Sequence, residues 1–306
     1  MTGAALRARG PRRLSRWRRA TQATFAIGFL LLPLAGTPAL AGTLVALRIG
    51  PADLVEPATA LSAMAAARSA PWRLLAGALP LALLAAALGP VFCSWACPFG
   101  LLSELLDRAL RRRHRWTGDP PRAARAARRG LLVALLSASL VLAVPLAALL
   151  APPRLVTAFP LELHAARALP QVTALLLALA LVVDLAVPRR VVCRVLCPAG
   201  TLAALLRTRR TMGPRLHPAR CRCGEGAPCF ALCPWGVDPR TPGRLEGCTS
   251  CLDCVDRCPT GALSVAPPGR LRDGAPAAEA PHGAWRRDQY ACAPCSPART
   301  LPRKTQ

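Results

Sequence analysis

The chain has 306 residues, room for two domains, and is 53% hydrophobic while carrying a net charge of +25. Lys304 is the only lysine, so arginine supplies nearly all of that charge. Aromatic residues make up only 4%, and the arginines crowd the margins of apolar runs. A nucleic-acid groove needs aromatics interleaved with basic residues, so composition speaks against nucleic acid as a partner.

In chain order, residues 1–23 form a basic segment with Arg7, Arg9, Arg12, Arg13, Arg16, Arg18 and Arg19. Four apolar runs follow, at 24–47, 72–92, 130–150 and 171–188. Each approaches the roughly 20 residues that a bilayer takes, and their internal prolines are tolerable where neighbouring helices satisfy the freed backbone groups. Between the second and third runs lie Arg108, Arg111, Arg112, Arg113, Arg115, Arg122, Arg125, Arg128 and Arg129. The other two connections hold only Arg48 and Arg68, or Arg154 and Arg167. By the positive-inside rule this asymmetry predicts a multi-pass protein of the inner (cytoplasmic) membrane, with both termini cytoplasmic. A basic start, an apolar run and Ala39-Leu40-Ala41 also resemble a signal peptide, but the apolar character continues past Ala41 and favours an uncleaved span.

The expected fold over 24–210 is therefore an all-α polytopic membrane domain, four transmembrane helices arranged as two repeated hairpins. The repeat is visible in the cysteines. Cys93, Cys97, Pro98 and Gly100 recur as Cys193, Cys197, Pro198 and Gly200, and each set leads into a short amphipathic stretch. In a helix, positions four apart share a face, so each cysteine pair can point one way, and proline then opens a new helix. Three readings of these four thiols stay open: a bound metal or cluster, thiol–disulfide chemistry, and inert buried cysteine.

From 215 to 268 the chain turns rich in Cys, Gly and Pro, as expected of a small α+β domain of the bacterial two-[4Fe–4S] ferredoxin kind. All fourteen cysteines fall outside the connections assigned to the outer face, which favours metal or redox chemistry over a disulfide framework. The run CTSCLDCVDRCP sets Cys248, Cys251, Cys254 and Cys258 at C-x2-C-x2-C-x3-C-P spacing, the bacterial ferredoxin pattern. Zinc is the rival, though zinc sites more often use two separated C-x2-C pairs. Upstream lie Cys221, Cys223, Cys229 and Cys233, ending in the same C-x3-C-P. If the two runs exchange fourth ligands, Cys221, Cys223, Cys229 and Cys258 hold one [4Fe–4S] cluster, and Cys233, Cys248, Cys251 and Cys254 hold the other. Residues 269–306 form a Pro- and Arg-rich tail of low-complexity character, in which Cys292 and Cys295 make a lone C-x2-C.

On these residues the chain resembles the NapH/MauN-type membrane iron–sulfur proteins, the membrane component of quinol dehydrogenases. The resemblance implies electron exchange between the quinone pool and a partner redox protein or a reductase or dehydrogenase complex. It extends to Cys93, Cys97, Cys193 and Cys197, and to Cys233, Cys248, Cys251, Cys254 and Cys258. The irregular start at Cys221, Cys223 and Cys229 departs from the usual run. Related cysteine-bearing membrane ferredoxins serve metal-centre assembly or regulation, which is the alternative reading. Such a chain relays electrons and is not a self-contained enzyme.

Outside the cysteines, Glu162 and His164 could accept protons from a quinol on the outer side. Asp184 is the clearest ionisable residue inside an expected span, either functional or ion-paired with Arg189 or Arg190. His114, His217 and His282 lie outside the expected spans, leaving no axial pair for a haem in the bilayer. No nucleotide-binding glycine loop is present.

Overall fold

In the computed structural model the described residues are 13–35, 40–110, 122–166, 169–186, 190–208 and 210–221, then 229, 233, 235, 237–240, 245, 247–258 and 260–267. Cys223, His114, His282, Arg189, Cys292, Cys295 and the tail lie outside them. The chain opens with α1 (Arg13–Ala35) and a three-stranded antiparallel meander, β1 (Leu40–Thr43), β2 (Ala46–Ile49) and β3 (Ala52–Val55). Helices α2 (Pro57–Ala67), α3 (Trp72–Leu88), α4 (Val91–Trp95) and α5 (Pro98–Ala109) follow. After them come α6 (Arg122–Leu142), α7 (Leu146–Leu149), α8 (Pro152–Ala166) and α9 (Gln171–Ala186). A π-helical turn (Val192–Leu196) leads into α10 (Pro198–Leu205), and a two-stranded sheet pairs β4 (Gly213–Leu216) with β5 (Leu263–Ala266), enclosing α11 (Asp253–Asp256).

This architecture overturns the four-span expectation. Among the described residues no helix is long and apolar enough to cross a membrane. The run 24–47 is divided between α1, which ends at Ala35, and the strands β1 and β2. The run 72–92 stops after 17 helical residues at Gly89, whose φ of +77° breaks the helix before α4. The run 130–150 belongs to a helix that starts at Arg122 and ends at Leu142, and the last run yields 16 residues. All fall short of, or are too polar for, a span of about 20 apolar residues. The multi-pass inner-membrane localisation and its orientation fall with it. The fold is mixed, helical with small sheets. One expected outer connection is instead occupied by the meander and α2, and the other by α8.

The centre of the helical part forms where the second cysteine of each motif is buried. Phe99, fully buried, packs with Cys97 and Val192, and around them lie Val156 of α8 and Leu177 and Leu181 of α9. A smaller core joins Val55 of β3 to Ala60 and Ala78, with α3 crossing the strand so closely that a Cβ on Gly77 would meet the Asp53 carbonyl. Glu56 caps α2, both its carboxylate oxygens accepting from the backbone N–H groups of Ala58 and Thr59. Large apolar side chains including Leu79, Leu83, Val133, Val141 and Val172 remain exposed on α3, α6 and α9.

The cysteine-rich part is fastened to the helical part by buried polar contacts. Arg18 of α1 reaches Glu104 of α5 at 3.0 Å and Asp253 of α11 at 3.2 Å, all three side chains at least 84% shielded from solvent. The Ser15 N–H donates to Asp256 at 2.8 Å. Breaking a buried ion pair by removing one partner typically costs about 3–5 kcal/mol, because the remaining charge stays buried. Arg18→Met is therefore expected to destabilise the chain by about 3 kcal/mol. Hydrogen exchange should show α11 losing protection before the Phe99 core does; equal loss in both would contradict a local fastening.

Candidate metal centres

Both cysteine motifs fold the same way. In each, a short helical turn closes with a five-residue hydrogen bond, Cys97 N–H to Phe92 O at 2.9 Å and Cys197 N–H to Val192 O at 2.8 Å. The chain then reverses and proline starts α5 or α10, where its missing N–H costs nothing. Such wide turns inside helices are frequent at functional sites. The motif glycine explains itself here. A Cβ on Gly100 would lie 2.9 Å from the Cys93 carbonyl oxygen, and one on Gly200 3.3 Å from that of Cys193. Without side chains, the new helix can rest against the old, and the Gly200 N–H points at Cys197 Sγ, 3.4 Å away.

The four hairpin thiols converge. Burial pushes Cys93 well above its ordinary pKa, and repulsion from Cys197 and Cys97 raises it further. Burial and then Cys97, with Asp184 and Cys197, do the same to Cys193. Burial raises Cys97 to about 11 and Cys197 to about 12, opposed by the N–H groups of Phe99 and Gly100 and of Gly200 and Ala199.

A second group forms in the cysteine-rich part. Cys233, Cys248, Cys251 and Cys254 line a small pocket, walled otherwise by Trp235, Val237, Leu252 and neighbours. Burial pushes Cys251 and Cys254 well above the ordinary thiol range, and Cys233 and Cys248 raise both further. The Val237 N–H points at Cys233 Sγ at 3.4 Å. Near it, Cys229 is raised to about 11 by burial, opposed by Arg240 and reinforced by Asp238, Cys258 and Cys221. Thus Cys229 neighbours Cys258, Cys221 and Cys254, and Cys254 also neighbours Cys233, Cys248 and Cys251.

The eleven described cysteines are all free thiols. Among the described residues no three His, Cys, Asp or Glu side chains stand close enough to hold a single metal ion. Zinc, with Zn–S bonds of about 2.3 Å, draws its sulfurs tightly together. A cubane sets its thiolates at its corners, further apart. The all-thiol donor set and its C-x2-C-x2-C-x3-C-P spacing fit a [4Fe–4S] cluster.

The two groups touch. Ser94, between the first hairpin cysteines, hydrogen-bonds Thr249, and Trp95 Nε1–H donates to the Ser250 carbonyl at 3.1 Å. Thr249 and Ser250 are the two residues between Cys248 and Cys251. On the other side, Cys193, Cys233 and Cys248 all pack on the cluster of Trp235, Val237 and Leu245. The Arg190 guanidinium lies 6.0 Å from the Trp235 ring centre, at the outer limit of a cation–π contact.

The acid–base candidates are placed differently. Glu162 sits in α8, accepts from the Thr173 hydroxyl and faces Arg154 at 3.5 Å, and His164 is exposed in the same helix's last turn. Asp184 is buried and accepts from Ser103; burial raises its pKa, with Ser103 and Arg190 opposing. Arg190 pairs at 2.9 Å with Asp107, not with Asp184. Sequence reasoning missed Glu56, which is buried, repels Cys93 and Cys197, and lines an apolar cleft that reaches Cys93.

Against known proteins, the 4Fe-4S binding domain family matches residues 70–117 and 170–214, the two segments that carry the hairpin motifs. The chain carries a 4Fe–4S binding domain. It is similar to the putative electron transport protein YccM of Escherichia coli (strain K12), 30% identical over 191 residues, which cover 56% of this chain and 49% of that protein. It is also similar to the electron transport protein HydN of the same strain, 37% identical over 71 residues, 19% of this chain and 41% of HydN. The chain spans about half or less of the length of these curated relatives. No solved structure matches it. The NapH/MauN type goes beyond what these matches carry.

At neutral pH the raised thiols are protonated, whereas a metal takes thiolates, so cluster insertion should release about one proton per cysteine ligand. Release far below that, measured in weak buffer, would mean the sulfurs are not the ligands. For the metal-free chain, folded pKa values of about 11 to 12 lie above the reference value of 9.0. A raised pKa adds stability below pH 9 and gives it up as pH climbs through the folded values. Thermal melts of the metal-free chain should accordingly fall between about pH 9 and 12.

Proposed function

We propose that the chain is an iron–sulfur electron relay with connected cysteine sites. The observation that carries this is the direct contact between the hairpin motif and the C-x2-C loop, through Ser94 with Thr249 and Trp95 with Ser250. In this reading Cys233, Cys248, Cys251 and Cys254 hold one [4Fe–4S] cluster and Cys229, Cys258 and Cys221 hold another with Cys223. Cys93, Cys97, Cys193 and Cys197 form a third all-thiolate set. A bound cluster supplies one-electron oxidation and reduction at a potential set by its ligands and surroundings. The protein exchanges those electrons with a partner redox protein.

The finer part of the proposal concerns the electron donor, a carrier of the quinone class. Its support is the apolar cleft bounded by Leu81, Leu84, Phe92, Leu202 and Leu206, with Cys93 in its wall and buried Glu56 as its acidic group. The chain's residues there exclude water and present one carboxylate to a hydroxyl. Leu202→Trp, which fills the cleft, should slow reduction by a soluble quinol analogue at least tenfold while leaving dithionite reduction unchanged. Equal rates with the analogue would remove the cleft from the pathway.

Anaerobic reconstitution tests the cluster count. Wild-type chain should take up about twelve irons, four per cluster, and a Cys97→Ser, Cys197→Ser double variant about eight, with the remaining paramagnetic signals intact. Fewer than about eight irons in the wild type would reject the two ferredoxin-type clusters.

A further inference from the structure

Arg207, just after α10, is the largest fully buried side chain among the described residues, 2% exposed. Its Nη1 donates to the Cys248 carbonyl at 2.6 Å and to Ser250 Oγ at 3.1 Å, and its Nη2 donates to the Met212 carbonyl at 3.1 Å. Its Nε has no partner. All three acceptors are neutral oxygens. Among the described residues no carboxylate pairs with it, in contrast to Arg18, Arg48, Arg154, Arg190 and Arg240. Space is reserved for it: a Cβ on Gly89 would lie 2.8 Å from Nη1.

A buried cation without an anion is costly, and chains seldom keep one uncompensated. Here two of the three acceptors belong to the loop that sets Cys248 and Cys251 around the lined cavity. Four thiolates around an iron–sulfur core carry net negative charge in both oxidation states. The counter-charge that Arg207 lacks is what such a group would bring.

We propose that Arg207 is the built-in counter-charge of the anionic metal group held by Cys233, Cys248, Cys251 and Cys254, and that it raises the reduction potential of that group. This rests on the reading above that those cysteines hold a cluster. Arg207 acts through the loop as a positioning and electrostatic residue; it ligates nothing. Reduction adds one electron to the group, and a fixed nearby cation stabilises the more negative state. Removing the cation therefore lowers the potential, so a larger share of the cluster stays oxidised at any fixed ambient potential.

The experiment uses the full chain, reconstituted anaerobically, with iron counted and the potential followed by paramagnetic resonance during a redox titration. Arg207→Gln keeps hydrogen-bond donors and removes the charge; Arg207→Lys keeps the charge and loses the fork. The expected result is a lowered potential in Arg207→Gln at full iron content, with Arg207→Lys near wild type. A Gln variant that takes up no iron beside a Lys variant that loads fully also supports the proposal, since charge is then what the site requires. Full iron with an unchanged potential in Arg207→Gln would overturn it. So would equal shifts, or equal loss of iron, in both variants, because hydrogen bonding alone would then be the role. A wild-type chain without iron at these cysteines removes the underlying reading, and this proposal with it.

Discussion

The whole arrangement depends on one buried polar seam, where the loop Cys248-Thr249-Ser250-Cys251 lies against the helical part. Ser94 and Trp95 hold it from one motif, and Arg207 holds it from the end of α10. The Ser94–Thr249 contact is buried and the other two are partly so, so losing one leaves a shielded polar group unsatisfied. The seam fixes where the C-x2-C thiols stand relative to the hairpin thiols. The adjoining contacts of Thr211 with Ala86 and of Met212 with Ala87 tie the same end of α3 to the start of β4. Two parts with separate cores are thereby set in one register.

The thiols themselves impose the second constraint. They are buried, they neighbour one another, and burial, the largest influence on each, favours the protonated form. In the empty chain burial favours neutral sulfurs. A bound cluster reverses that preference, exchanging protons for iron, so ligand uptake and charge are coupled at every site. Arg240 beside Cys229, Arg190 beside Cys193 and the N–H groups aimed at Cys97, Cys197 and Cys233 are features that favour the anionic state in advance.

The cysteine pattern was legible because ligand spacing is local. C-x2-C-x2-C-x3-C-P needs no tertiary information to suggest a cubane, and the repeat of Cys93 and Cys97 at Cys193 and Cys197 needs only the sequence. The four spans were misread because apolar content was counted without its interruptions. Gly89 with its positive φ, the strand β1 that begins at Leu40, and the end of α6 at Leu142 before Ala143 at φ +54° all divide runs that look continuous. Glu162 and His164 were chosen for their chemistry, and α8 places Glu162 against Arg154 and Thr173 instead.

Arginine placement shows most clearly what sequence conceals. Arginines at the margins of apolar runs read as flanks facing an aqueous phase, yet Arg18 and Arg190 are buried partners of carboxylates on other elements. The carboxylates they use, Glu104, Asp107 and Asp253, lie 83 to 235 residues away along the chain, and only the fold brings them together. Within TLAALLRTRR nothing separates Arg207 from Arg209 or Arg210. The fold does so by burying Arg207 against neutral carbonyls at a thiol-lined cavity. Among the described residues no carboxylate balances a cation in that position.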